Sequence, residues 1–400
     1  MKKLFFLPVL LCLILVTHRA QAWAAFSGQS AGEGINAFAC NLYAHLQKQT
    51  GNLFFSPLGI TYALATAGAG ARGESAAQIE KVLHLSGEQG CQTLAALMQR
   101  LNAAQHDGQL RIDIANSLWP HKDYPLRSEY LETVRNCYDA AVTPLDYEGD
   151  AAGAATRINA WIEKKTQGRI RDMVGKPPPD TRLLLVNAVY FDARWMYPFK
   201  SHATRKNIFH APGKEIEVSF MSREGVYKYR QMQDLQILEL PYAGETCSLV
   251  VLLPAAKSGA LEELETRLSA LQFAQWTDAL PEEEVQVFLP KFKLSFGPVS
   301  LNEAFGQLGL RRIFSPESAD FSGMSQEAAG LYMGNVLHKA NVEVDEAGTV
   351  AAAASVVEFL PGSGGPRSMP VFLADRPFMF FIRDKVDGAI LFMGRLIDPL

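Results

Sequence analysis

The chain has 400 residues, 48% of them hydrophobic and 20% charged, a globular balance that argues against disorder, collagen and low-complexity architectures. Thirty-eight basic residues against 42 acidic ones leave a formal charge of −4, with neither the basic surface of a nucleic-acid binder nor a dense acidic tail. At roughly 150 residues per domain the length allows two or three domains, or one large one; no internal repeat and no linker rich in Pro, Gly and Ser divides it.

The N-terminus reads as an export signal. Lys2 and Lys3 precede the uncharged run Leu4 to Val16, and Ala20-Gln21-Ala22 offers the small-x-small pattern of signal peptidase. A helix of that run spans about 20 Å, short of a bilayer core of ~30 Å, which weighs against an uncleaved anchor. Residues 1–22 are expected to be removed, leaving residues 23–400 as a single domain that is secreted or periplasmic, without a membrane partner. Four cysteines then remain: Cys40, Cys91, Cys137 and Cys247. Export permits disulfides, and four cysteines allow three full pairings; four buried free thiols fit the long spacings equally well.

Helical patterns come next. Gly34 to Thr50 carries Ile35, Phe38, Ala39, Leu42 and Leu46 at three- and four-residue spacing. Ser56-Pro57 opens a second helix as N-cap and first residue. Further helices are expected over Ser75 to Leu85, Cys91 to Ala104, Ser128 to Cys137 and Ala151 to Thr166. Strands follow. Arg182 to Phe191 is apolar without alternation, as a strand buried on both faces would be. Val218 to Met221, Val226 to Arg230, Leu235 to Leu240 and Cys247 to Leu253 suggest an antiparallel meander. Helices return at Leu261 to Leu268 and Ser300 to Leu308, and strands at Val285 to Leu294, Val336 to Asp345 and Val371 to Ile382. Helices first and sheets after, without a βαβ rhythm, predict an α+β fold.

Gly68-x-Gly70-x-x-Gly73 matches a dinucleotide fingerprint, but a helix precedes it where a strand is required, so a helix end with a glycine turn is the better reading. The eight histidines show no metal-ligand spacing, so no metal and no cofactor is expected. His338 lies alone in an apolar strand. The long stretch Glu346 to Pro370 separates two strands by far more than the usual ~4–6 residues. In extended form its first half puts Thr349, Ala351, Ala353, Ser355, Val357 and Phe359 on one face, with Glu358 on the other. It is either a flexible loop with an alanine run or a tethered segment able to become a strand. Glycines and prolines in its second half resist pairing.

Six ordered blocks resemble the serpin family: Asn52-Leu-Phe-Phe-Ser-Pro-Leu-Gly-Ile, Ile158-Asn-Ala-Trp-Ile, Asn187-Ala-Val-Tyr-Phe-Asp-Ala-Arg-Trp195, Leu289-Pro-Lys-Phe, Val336-Leu-His-Lys-Ala-Asn-Val-Glu-Val-Asp-Glu-Ala-Gly-Thr349 and Phe372-Leu-Ala-Asp-Arg-Pro-Phe. The resemblance covers nearly all of residues 23–400. It implies three β-sheets, eight or nine helices and an exposed reactive-centre loop at about 346–370. It implies a monomeric bait for a serine protease, or alternatively a cysteine protease, and not an enzyme. Cleavage of the loop would be followed by its insertion as a central strand, with the protease trapped as an acyl-enzyme; a non-inhibitory member, cleaved without trapping, is the alternative. The hinge would comprise Glu346, Gly348, Thr349 and Ala351, Ala352, Ala353 and Ala354. Ser56, Asn187 and His338 would form a polar cluster under the opening strands, with Trp195 above it. The family's spacing puts the scissile bond at Gly362-Ser363. Leu360 would suit elastase- or chymotrypsin-like enzymes, and Arg367-Ser368 a trypsin-like one.

Overall fold

The computed structural model describes residues 30–105, 110–349 and 369–400. The expected helices form as α1 (Ala31–Leu46), then, after β1 (Leu53–Phe55), α2 (Pro57–Gly70), α3 (Gly73–Leu83) and α4 (Gly87–Ala103). Ser56 caps α2, its Oγ accepting from the Gly59 amide at 3.0 Å. Gly68 and Gly70 belong to the last turn of α2, which settles the glycine motif as a helix end.

β2 (Leu110–Pro120), α5 (Ser128–Tyr138), β3 (Ala141–Val142), α6 (Ala151–Lys165) and β4 (Leu183–Arg194) follow. The meander is β5 (Arg205–Ala211), β6 (Lys214–Gln231), β7 (Leu235–Pro241) and β8 (Cys247–Pro254); the two strands expected between 218 and 230 are one. After α7 (Ala260–Arg267) and α8 (Ala270–Thr277), the strand expected over Val285 to Leu294 is two, β9 (Glu282–Pro290) and β10 (Phe292–Ser300). The chain passes at Lys291 from one sheet to another. Then come α9 (Asn302–Leu308), β11 (Asn335–Val344), β12 (Gly348–Thr349), β13 (Val371–Leu373), β14 (Phe378–Asp384) and β15 (Ile390–Leu396).

Among the described residues the strands make two hydrogen-bonded sheets. One runs β1-β15-β14-β8-β7-β6-β9-β13, with β5 also on β6; the other runs β10-β11-β4-β2-β3, with β12 also on β4. The long β6 carries the first through a change of partner: Phe220 to Lys228 pairs with β9, and Lys228 to Gln231 with β7. That shared strand joins by hydrogen bonds what the family resemblance counts as separate sheets.

β4 explains its own unalternating sequence. Leu183, Leu185, Val189, Phe191 and Ala193 face the main core, while Leu184, Val186 and Ala188 face a second core under α6 with Trp119, Ile158 and Ile162. Its neighbour β2 is antiparallel, from Leu110↔Ala193 to Pro120↔Leu183. Its neighbour β11 is parallel, from Asn335↔Leu184 to Asn341↔Tyr190.

The cysteines divide: Cys91 and Cys137 form a disulfide between α4 and α5, and Cys40 and Cys247 are buried free thiols. Burial pushes the Cys40 thiol up to about 12, which keeps it unreactive. The bridge closes a 46-residue separation, so its removal is expected to cost about 2–4 kcal/mol. Urea unfolding of Cys91→Ser/Cys137→Ser against the parent checks this; an unchanged midpoint would refute it.

Candidate functional site

Alternation on three adjacent strands brings three polar side chains into one row on the core face. On β4, Asn187 stands in phase with Leu185 and Val189. Asn116 is its partner on β2 and His338 its partner on β11. All three are essentially inaccessible, as is Ser56 beneath them. Buried polar groups require partners, and these largely supply one another, the Asn116 Nδ2 alone of the row's side-chain groups being left without one. The Ser56 amide donates to His338 Nε2 at 3.2 Å. An amide can only donate, so the His338 proton sits on Nδ1, which donates to Asn187 Oδ1 at 2.6 Å. Asn187 Nδ2 donates in turn to Asn116 Oδ1, and Ser56 Oγ donates to the Leu391 carbonyl at 2.7 Å. From the Ser56 amide through His338 and Asn187 to Asn116, each donor points the same way along the row. Burial pulls His338 down to about 3. A protonated ring would set a second N–H against the Ser56 amide, so the row holds together only with a neutral histidine.

The upper end of the β4–β11 seam is wedged apart. β11 stops pairing with β4 at Tyr190, while β2 occupies the opposite edge of β4 as far as Ala193. The free edge above Tyr190 is taken by β12, antiparallel, with Gly348↔Arg194 and Thr349↔Ala193. Trp195 extends this ladder, its amide donating to the Ala347 carbonyl at 3.0 Å. Its indole Nε1 donates to the Asp345 carbonyl at 2.9 Å, and its ring stacks on Tyr242 at 4.7 Å. Thr349 is fully buried, its hydroxyl 2.8 Å from that of Tyr242. The site requires glycine at 348, because a Cβ there would lie 2.0 Å from the Ala193 carbonyl oxygen.

Glu346 anchors the turn from outside, with Lys291 Nζ at 2.6 Å and Thr204 Oγ1 donating at 2.8 Å. Burial alone would raise this carboxyl, but the hydrogen bonds from Lys291 and Thr204 outweigh it and hold it below its usual range. Asp345 closes the turn by accepting from the Ala347 and Gly348 amides, at 2.9 and 3.2 Å.

The structure thus brings Ser56, Asn187 and His338 together in one network, and Trp195, Glu346, Gly348 and Thr349 in a second above it. The start of the expected exposed loop is not exposed: Glu346 and Ala347 are half-buried, and Gly348 and Thr349 are buried and paired with β4. Ala351 to Ala354, Leu360, Gly362, Ser363, Arg367 and Ser368 lie outside the described residues. Three participants escaped the sequence reading: Asn116, Tyr242 and Lys291. Asn116 had a signal, since it falls in phase with Ile112 and Leu118 on a strand that reading did not place.

Comparison with known proteins agrees with this architecture. A family model described as serpin (serine protease inhibitor) matches residues 33–399. An uncharacterized serpin-like protein of Thermococcus kodakarensis is 39% identical over 91% of this chain and 85% of its own. The leukocyte elastase inhibitor of Bos taurus is 37% identical over 90% and 97%. Among solved structures, uncleaved ovalbumin superposes with a TM-score of 0.83 at 28% identity, over 93% of this chain and 100% of its own. Human thyroxine-binding globulin superposes with a TM-score of 0.81 at 27% identity, over 92% and 98%. Among the described residues no helix is long and apolar enough to cross a membrane. With its α+β architecture and a family match over almost its whole length, the chain belongs to the serpin family.

Proposed function

We propose that the protein inhibits serine proteases as a suicide substrate, its loop inserting between β11 and β4 after cleavage. The observation that carries this reading is β12: two residues of the segment already pair with β4 in the direction an inserted strand would take. Continued one residue at a time, that register sets Ser355 opposite Asn187, on the line where Asn187 now faces His338. A hydroxyl arriving there accepts from His338 Nδ1 and donates to Asn187 Oδ1, so neither buried group is orphaned. Small side chains at Ala351 to Ala354 pass under α6 at little steric cost. About a dozen new backbone hydrogen bonds at ~0.5–1.5 kcal/mol net each provide a drive on the order of 10 kcal/mol.

Export by the N-terminal signal and cleavage at Gly362-Ser363, with Arg367-Ser368 second, belong to the same proposal. The name of the bovine relative speaks of an elastase inhibitor, which fits a small or apolar residue at the scissile position.

Incubation with elastase-, subtilisin-, chymotrypsin- and trypsin-like enzymes tests it. The expected product is an SDS-stable adduct of summed mass, and sequencing the released C-terminal fragment locates the bond. Cleavage with a gain in heat stability but no adduct would mean insertion without trapping. Cleavage with neither sinks the proposal. Ser355→Val should leave cleavage intact yet lower the heat stability of the cleaved form, because two buried groups lose partners worth about 1–3 kcal/mol each. An unchanged melting temperature would refute the register.

A further inference from the structure

The helical layer remote from β12 contains a cleft of about 640 Å³ between the end of α2, α3, the start of α4 and α5. Its size lies within the ~300–1,000 Å³ of small-molecule sites. The glycine motif helps to shape it. A Cβ on Gly68 would press against Ile79 at 3.0 Å, so α2 and α3 meet closely here. The floor is apolar, formed by Ala69, Ala76, Ile79, Leu85 and Leu94, and the Cys91–Cys137 disulfide stands in the wall.

The rim is acidic. Glu80, Glu88, Glu129 and Glu132 line the cleft, and none of them has a salt-bridge partner among the described residues. Arg72 is the one lining cation, and its Nη1 is engaged by the Ala69 and Ala71 carbonyls. Lys81 and Arg135, on the same helices, do not line it. Four glutamates against one engaged cation make the mouth negative above an apolar floor.

We propose that this cleft binds a small organic cation with an apolar body, an alkylammonium or quaternary ammonium compound, its chain on the floor and its charge at the carboxylate rim. The proposal is independent of protease inhibition. Charge complementarity selects cations over anions of equal length, and enclosure of the chain selects them over small inorganic cations.

The test uses the full chain and dodecyltrimethylammonium below its micelle concentration, by calorimetry and thermal shift. Saturable binding of one molecule per chain is expected, with dodecyl sulfate and tetramethylammonium binding at least about tenfold more weakly. Glu129→Gln/Glu132→Gln removes two exposed charges without touching the core. It should weaken binding roughly fivefold to tenfold at low salt, and the difference should shrink at high salt. Ala76→Trp, on half-buried α3 surface, should fill the floor and abolish binding while circular dichroism stays unchanged. Equal binding of dodecyl sulfate, no saturable binding, or unchanged affinity in the double glutamine variant would each overturn the proposal.

Discussion

On the proposed mechanism, Thr349→Arg is expected to turn an inhibitor into a substrate. Thr349 has no accessible surface and hydrogen-bonds Tyr242 inside the sheet. A guanidinium cannot shed its charge there, and leaving it buried and unpaired costs several kcal/mol. β12 would be expelled from β4, and the first step of insertion would meet the same penalty. The proposed scissile bond, Gly362-Ser363, lies 13 residues further along the sequence, so recognition and acylation should stay near parent rates. What changes is the competition between insertion and hydrolysis of the acyl-enzyme. A barrier raised by about 1.4 kcal/mol slows insertion tenfold, so several kcal/mol should raise the molecules consumed per protease inactivated from near one to above about ten. Titration of residual protease activity measures this. An unchanged stoichiometry would show that insertion does not depend on the place of Thr349 in the sheet, and the Gly362 assignment counted from it would fall as well. Tyr242→Phe offers a milder version, leaving one buried hydroxyl short of a partner at about 1–3 kcal/mol.

The second large effect is a loss of stability in mild acid. His338 is held neutral by burial, at about 3 in the folded protein against an ordinary 6.5. Between those values the unfolded chain binds a proton that the folded chain refuses. Stability is therefore full above about pH 6.5, falls as pH decreases below it, and stops falling through this group near pH 3. The whole window corresponds to roughly 5 kcal/mol, with about 2 kcal/mol gone by pH 5. Urea midpoints at pH 7.5 and 5 should show the decline. His338→Gln, which can still donate to Asn187 but does not titrate, should start less stable and lose less over the same interval. Equal losses in both proteins would assign the acid sensitivity to carboxylates instead.

Much of this was legible in the residues, for reasons that differ by element. Ser56-Pro57 announced a cap because both residues act locally, through one side-chain oxygen and one fixed φ. β4 announced burial on both faces because its neighbours on either side are apolar cores. β2 was missed: Ala115, Asn116 and Ser117 interrupt its alternation, and the reason for Asn116 lies across the sheet at Asn187. The break at Lys291 was invisible because Glu282 to Ser300 is continuously extended and only the partner strands change. The cysteine pairing had no sequence solution, since α4 and α5 meet through packing that spacing does not encode. That Gly348 and Thr349 already pair with β4 was not legible, because two residues of strand pairing carry no periodicity at all.

The direction of β11 has a further consequence. Among the four long strands of the six-stranded sheet, β10, β11, β4 and β2 would alternate up and down but for one fault, the parallel contact between β11 and β4; the two-residue β3 at the edge is also parallel to its neighbour β2. Parallel ladders are slightly the weaker kind per residue, so the pattern has its defect where the bonding is poorest. No rearrangement of the existing strands can heal such a defect, because reversing either one would break its good contact with the neighbour on the far side. One additional strand, antiparallel to both, heals it at once. β12 is two residues of that repair, and the remaining length of the fault, down through Asn187 and His338, is where β4 and β11 still pair directly in parallel.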